Sequence, residues 1–154
     1  MRIELISWVA IVLIVCFLFV PFYLSSKDEE VEDQIQENNA QLILKRLAAS
    51  VQLYMVDKKH YPYDVKQNSP VKGLVPEYVF EWPYSYKNKY HSSFDYDAWV
   101  MPGGGYWIGI TWYGKNNKRD FHKWEYIKES SGMKVRKIGD DYFIEIDRNA
   151  KVGP

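Results

Sequence analysis

Apolar residues fill the chain from Ile3 to Leu24, interrupted by Glu4 and Ser7, with Pro21 near the far end of the run. Leu5 to Leu24 is 20 residues without a charge. At about 1.5 Å per residue, a helix of that length spans the ~30 Å hydrocarbon layer of a bilayer. A cleaved secretory signal would be shorter and would end in a small-x-small site, which Val20-Pro21-Phe22-Tyr23-Leu24 lacks. The pattern therefore predicts a retained anchor.

From Ser25 to Asp57 no Gly or Pro interrupts the chain, and apolar residues recur at Val31, Ile35, Leu42, Leu47, Val51, Tyr54 and Met55. That is helical spacing. Residues 3 to 57 are predicted to form one helix, which Pro21 kinks by removing one backbone hydrogen bond. The helix should stop near Lys58-Lys59, because His60-Tyr61-Pro62 follows and the residue before a proline is pushed away from helical geometry. Four prolines punctuate 62–93 around the apolar patch Leu74, Val75, Tyr78 and Val79, which reads as a structured loop with one short helix or turn.

The remainder reads as antiparallel β. Phe94–Val100 alternates, Met101-Pro102-Gly103-Gly104-Gly105 turns, and Tyr106–Tyr113 is rich in aromatic and β-branched residues. A third strand is expected at Phe121–Lys128 after the polar turn Gly114–Asp120, then Lys134–Ile138 and Tyr142–Asp147, giving four or five strands in meander order. The fold class predicted is α+β, a long N-terminal helix against a small antiparallel sheet, with a membrane half and a head-packed half to the helix. The organisation is a transmembrane half-helix over 1–26 and a head over 27–154. The head comprises helix to about 57, loop 58–93, β-meander 94–147 and tail 148–154.

Charge sharpens this division. The chain carries 20 Lys/Arg and 20 Asp/Glu, yet Lys27 to Glu37 holds six acids and one base, a local −5. From Asn38 to Pro154 there are 18 Lys/Arg and 13 Asp/Glu, or +5. Neither is the basic stripe of a nucleic-acid binder. Arg2 before the run and a single Lys27 within the acidic segment after it favour a cytoplasmic N-terminus and an exported head. Cys16 is the only cysteine, so no intrachain disulfide is available.

Candidate chemistry is sparse. His60, His91 and His122 are 31 residues apart, with no second ligand at helical or hairpin spacing. Asp95-Tyr96-Asp97 and Asp140-Asp141 offer oxygens for a calcium ion, but neither has the Asp-x-Asp-x-Asp-Gly loop. Solvated turn carboxylates are the plainer reading. Gly103-Gly104-Gly105 lacks the Lys-Ser/Thr of a phosphate loop. No cofactor and no enzymatic activity are expected. Strand alternation puts Tyr106, Ile108, Ile110 and Trp112 on one face and Trp107, Gly109, Thr111 and Tyr113 on the other. If the first face covers the helix, Trp107 and Tyr113 become a candidate partner surface. The alternative is a second small core beneath the 62–93 loop.

Several stretches carry a family resemblance. Ile3-Glu4-Leu5-Ile6 resembles the Ile-Glu-Leu core of the N-terminal motif of type IV pilins and type II secretion pseudopilins. The 17-residue step from Glu4 to Pro21 matches that family's glutamate-to-proline step. Leu53-Tyr54-Met55-Val56-Asp57-Lys58-Lys59-His60-Tyr61-Pro62 resembles its helix ending, where a Tyr and an Asp precede a Tyr-Pro pair. Leu74-Val75-Pro76-Glu77-Tyr78, then Trp82-Pro83, resembles the segment that follows. These matches cover about the first 85 residues.

The resemblance implies a pilin-like fold and a structural subunit, a minor pilin or pseudopilin, acting by helix packing in a filament. It implies that Glu4 attracts the N-terminal amine of a neighbouring subunit and that Pro21 lets packed helices adjust. Some pseudopilins bind calcium in the β region. The partners implied are other pilin or pseudopilin subunits, inner-membrane assembly proteins and the lipid bilayer. The placement implied is single-pass in a bacterial inner membrane, with the head periplasmic or extracellular. Precursors in that family carry a short basic leader ending in glycine. None is present here, and Met1 falls one position after the residue that would begin the mature protein. A start upstream, an altered chain and a relative that is never processed all stay open. The rival expectation is an unprocessed single-span protein whose exported aromatic-rich domain binds a ligand or partner.

Overall fold

The structure is a computed structural model and describes residues 2–67, 69–83 and 90–153, with only the helical backbone described at 2–22 and 24. The chain divides into two units, Met1–Glu37 and Asn38–Pro154. Helix α1 (Arg2–Lys58) supplies the first unit and, from Asn38, the first element of the second. It ends where the Tyr-Pro pair predicts. Lys59 takes a positive φ of 66° and its N–H reaches Met55 O at 2.9 Å, closing the last turn.

Among the described residues, no helix is long and apolar enough to cross a membrane. This corrects the expected transmembrane half-helix, and with it the single-pass inner-membrane placement. What is described of α1 holds the acidic run Lys27–Glu37, whose six acids would each cost ~2.5–3.5 kcal/mol at bilayer depth. The side chains at 2–22 and 24, those of Glu4 and Pro21 among them, lie outside the described residues.

In the second unit, α1 buries Ala40, Leu44, Leu47, Ala48, Val51 and Tyr54 against the sheet. These positions recur every three or four residues and form one helical face. Leu47, Val51 and Tyr54 of the expected stripe lie on this face. Ala40, Leu44 and Ala48 complete it, whereas Leu42 remains exposed.

The sheet contains β1 (Phe94–Val100), β2 (Tyr106–Trp112), β3 (Val135–Ile138) and β4 (Asp141–Ala150), in antiparallel order β1-β2-β4-β3. Its inner face pairs Tyr96 with Ile110 and Ile110 with Ile144, and joins Phe94, Ile108, Trp112 and Ile146 in the main core. Val71, Leu74 and Trp82 from the proline-rich segment close that core from the side.

Three β expectations are corrected. Phe121–Lys128 is not a strand, because helix α2 (Lys123–Glu129) forms there, and neighbouring Tyr126 and Ile127 are both buried. Glu125 sits in the first turn and accepts the His122 N–H at 2.7 Å, which favours the helix start. The order is not a meander, since the chain leaves β2, crosses the outer face through α2, and returns as β3 beyond β4. Nor do residues 148–154 begin a tail. β4 pairs Arg148 with Trp107 and Ala150 with Tyr106, and Tyr61 then exchanges backbone hydrogen bonds with Lys151 and Gly153.

Candidate functional site

The chemistry of the head concentrates on the outer face of the sheet. Alternation in β1 aims Phe94, Tyr96 and Ala98 at the main core and sends Asp95, Asp97 and Trp99 the other way. On β2 the same rule sends out Trp107, Gly109 and Thr111, and Tyr113 follows just beyond the strand. The 113–134 excursion lies over them. Trp99, Trp107, Tyr126, Ile127 and Phe143 make a second apolar cluster, with the Trp99 and Trp107 rings stacked 4.6 Å apart. Gly109 makes room for it: a Cβ there would collide with the Trp107 ring.

Trp107 and Tyr113 are therefore buried, at 0% and 1% exposure. This corrects their candidacy as a partner surface. A second core does form on this face, and α2 contributes Tyr126 and Ile127 to it. The Trp107 indole N–H donates to Glu145 Oε2 at 2.7 Å, and Tyr113 Oη donates to Asp95 Oδ2 at 2.6 Å.

Arg119 enters this layer from the excursion. Its Nη2 lies 3.1 Å from Asp95 Oδ2 and 2.8 Å from Asp97 Oδ1, and donates to Tyr113 Oη at 2.7 Å. Its guanidinium carbon sits 4.6 Å from the centre of the Trp99 ring. Burial pushes the Asp95 and Asp97 carboxyls up, while Arg119 pulls them back. Burial alone would lower Arg119, but Asp97 and Tyr113 outweigh it and hold the guanidinium charged. Asp95 and Asp97, two of the four carboxylates weighed for calcium and read as solvated, are instead buried and bound by an internal cation.

Asp140 and Asp141 also serve the fold. Asp140 accepts the backbone N–H groups of Lys115 and Asn116. Asp141 accepts the Tyr126 hydroxyl and, at 3.1 Å, the Asp120 N–H. Burial pushes the Asp141 carboxyl up to about 6 against the pull of these hydrogen bonds. A third clasp holds the far end of the excursion. Glu145 accepts from Ser130 at 2.5 Å, Arg148 at 2.6 Å and Trp107. Burial would raise the Glu145 carboxyl, but these donors together hold it below its ordinary value.

The arrangement is a set of ionic clasps that pin a basic excursion over a sheet. Sequence reasoning missed Arg119, Glu145 and Arg148. The available signal was two aspartates on the ring-bearing side of β1, which demand an internal cation. Among the described residues no group of three or more His, Cys, Asp or Glu is placed to hold a metal ion. His60 packs edge-on against Tyr54 and borders two cavities of about 510 and 560 Å³ at the end of α1, while His122 precedes α2. The first cavity is lined by Lys58, Lys59 and Lys151, the second by Tyr54, Tyr63, Asp64 and Lys72. No family model, no characterised relative and no solved structure matches the chain.

Proposed function

We propose that the chain is a structural subunit of the pilin or pseudopilin type, working by helix packing in a filament and by contact between heads, without a catalytic role. The observation that carries this reading is the junction at the end of α1. Tyr54 packs edge-on against Tyr78 at 5.5 Å, Tyr78 Oη donates to Asp57 Oδ2 at 2.8 Å, and buried Tyr61 pairs its backbone with the C-terminal segment. Tyr54, Asp57, Tyr61 and Tyr78 belong to the stretches that resemble the family, and here they tie helix to head. A subunit that transmits packing forces from its helix to its surface needs such a joint.

The partners of this reading are other pilin-type subunits and the proteins that assemble them. Glu4 acts as the register group, since a carboxylate in a dry helix bundle needs a cationic partner and finds one only in the correct axial position. The test is expression of the full chain in its host, with assembled material separated from free subunit by sedimentation. Glu4→Ala should empty the sedimenting fraction at unchanged total protein. Unchanged assembly removes the reading.

A further inference from the structure

Two carboxylates on the outer face of the sheet share one cation. Asp95 and Asp97 are both buried, and each reaches the same nitrogen of Arg119. Tyr113 Oη and Thr111 Oγ1 add neutral donors to Asp95 Oδ2 and Asp97 Oδ2, at 2.6 and 3.4 Å. A third acid, Asp64, adds to the negative field at both carboxyls. Among the described residues no second cation contacts the pair. Fully ionised, the two carboxylates and one guanidinium leave a net negative charge in a layer of rings. Asp95 Oδ1 is buried there without a hydrogen-bond partner, a poor seat for that charge. One proton held by the pair makes this trio neutral.

Arg119 belongs to a segment with little else to hold it down. Between Gly114 and Gly132, Lys115–Ser131 buries only Tyr126 and Ile127, which join Trp99, Trp107 and Phe143. The main core is built from α1, the proline-rich segment and the inner face of the sheet, and uses none of these residues. A segment that buries so little opens at a lower free energy than the core beneath it. Its remaining ties are polar. Asp140 takes the N–H groups of Lys115 and Asn116, Asp141 takes the Tyr126 hydroxyl and the Asp120 N–H, and Glu145 takes Ser130. The Arg119 side chain is 28% exposed, so the ion cluster lies next to solvent.

We propose that Lys115–Ser131 is a proton-held cover. With one proton on the Asp95–Asp97 pair it stays closed, and when that proton leaves to solvent it lifts and bares Trp99, Trp107 and Phe143. Opening lets water solvate both carboxylates and so relieves the uncompensated charge. The sign follows from burial, which raises both carboxyls in the closed form against the pull of Arg119. The closed form therefore holds more protons than the open one. Its advantage is fully present below about pH 4 and is lost as pH rises. The other titratable groups along the cover are accounted for. Asp141, pushed up to about 6, adds a slope of the same sign, whereas Glu145, held below its ordinary value, acts only at acid pH. Burial raises the Tyr113 and Tyr126 hydroxyls, so both stay protonated throughout. The cover is a property of the head and does not depend on how the chain assembles.

The experiment is amide hydrogen exchange of the full chain, read by peptide mass spectrometry over about pH 5 to 9 and corrected for the intrinsic pH dependence of exchange. Protection of the α2 amides should fall as pH rises. The fall should be at least about tenfold larger in the parent than in Asp97→Asn, which keeps an oxygen for Arg119 but cannot ionise. A carboxyl displaced by about one pH unit changes the opening equilibrium about tenfold. Asp95→Asn should match Asp97→Asn, because the proton belongs to the pair, and it replaces that variant if circular dichroism shows the latter unfolded. Asp141 is intact in all three proteins, so its slope cancels. At every pH the α2 amides should also be less protected than those of α1 from Leu44 to Tyr54. Equal protection in the two segments means that the head opens only as a whole, and overturns the cover. Parallel pH courses in the parent and the folded variants overturn it too, as does a parent whose α2 amides gain protection toward alkaline pH.

Discussion

Arg119 Nη2 lies 2.8 Å from Asp97 Oδ1, under a layer of rings on the outer face of the sheet. One guanidinium there serves two buried carboxylates, so its loss takes the cation from both. Arg119→Met should destabilise the head by ~3–5 kcal/mol, the usual cost of breaking a buried pair from one side. Adding Asp95→Asn and Asp97→Asn should recover part of that loss by removing the stranded charge. Urea midpoints of the parent, single and triple variants decide it, and a triple variant weaker than the single would refute the account.

Asp141 carries a pH dependence of defined sign. Its folded carboxyl is pushed up to about 6 from an ordinary 3.8, so the folded state holds more protons than the unfolded state between those values. Its contribution to stability is fully present below about pH 4 and is lost as pH rises through about 6. The Asp95–Asp97 pair slopes in the same direction, so the comparison is between variant and parent. Asp141→Asn keeps an oxygen acceptor and should flatten the fall between about pH 4 and 6 in thermal melts. Parallel slopes for the two proteins would count against it.

Gly109 is needed for space rather than for unusual backbone angles. A methyl there would enter the Trp107 ring and force it off its stack with Trp99. Gly109→Ala should cost ~1–3 kcal/mol by overpacking. Tryptophan fluorescence should shift to the red as the indole gains water, and an unshifted spectrum with full stability would refute the packing.

The two sides of α1 should respond differently to the same truncation. Leu44 is fully buried, and Leu44→Ala should cost ~2–5 kcal/mol. Leu53 is 60% exposed, so Leu53→Ala should stay within about 0.5 kcal/mol. Equal losses at the two positions would mean that the helix packs with a different face.

Much of the fold follows from local periodicity. The end of α1 is set by the proline two residues beyond His60, and β1 and β2 alternate between faces so regularly that their limits are legible. The Gly139-Asp140 turn equally announces the hairpin from β3 to β4. The face of α1 was harder to read. Of the stripe that the large residues marked, Leu47, Val51 and Tyr54 are buried, but Leu42 is exposed and Ala40 and Ala48 line the buried side, because alanines are too weakly apolar to stand out in a hydrophobicity pattern.

For the outer face, local pattern was insufficient. By itself the sequence determined that Asp95, Asp97, Trp107 and Tyr113 share one side of the strands, since alternate residues of a strand must point the same way. It also determined the −5 and +5 segments, which are matters of composition. Only the tertiary structure decided what covers that side. The excursion folds α2 over it and delivers Arg119 from 24 residues beyond Asp95. A face that could be read as a partner surface or as a second small core is an interior one. Strand geometry is fixed by neighbours in the chain, whereas burial and ion pairing are fixed by whichever distant segment gains most free energy by closing over them.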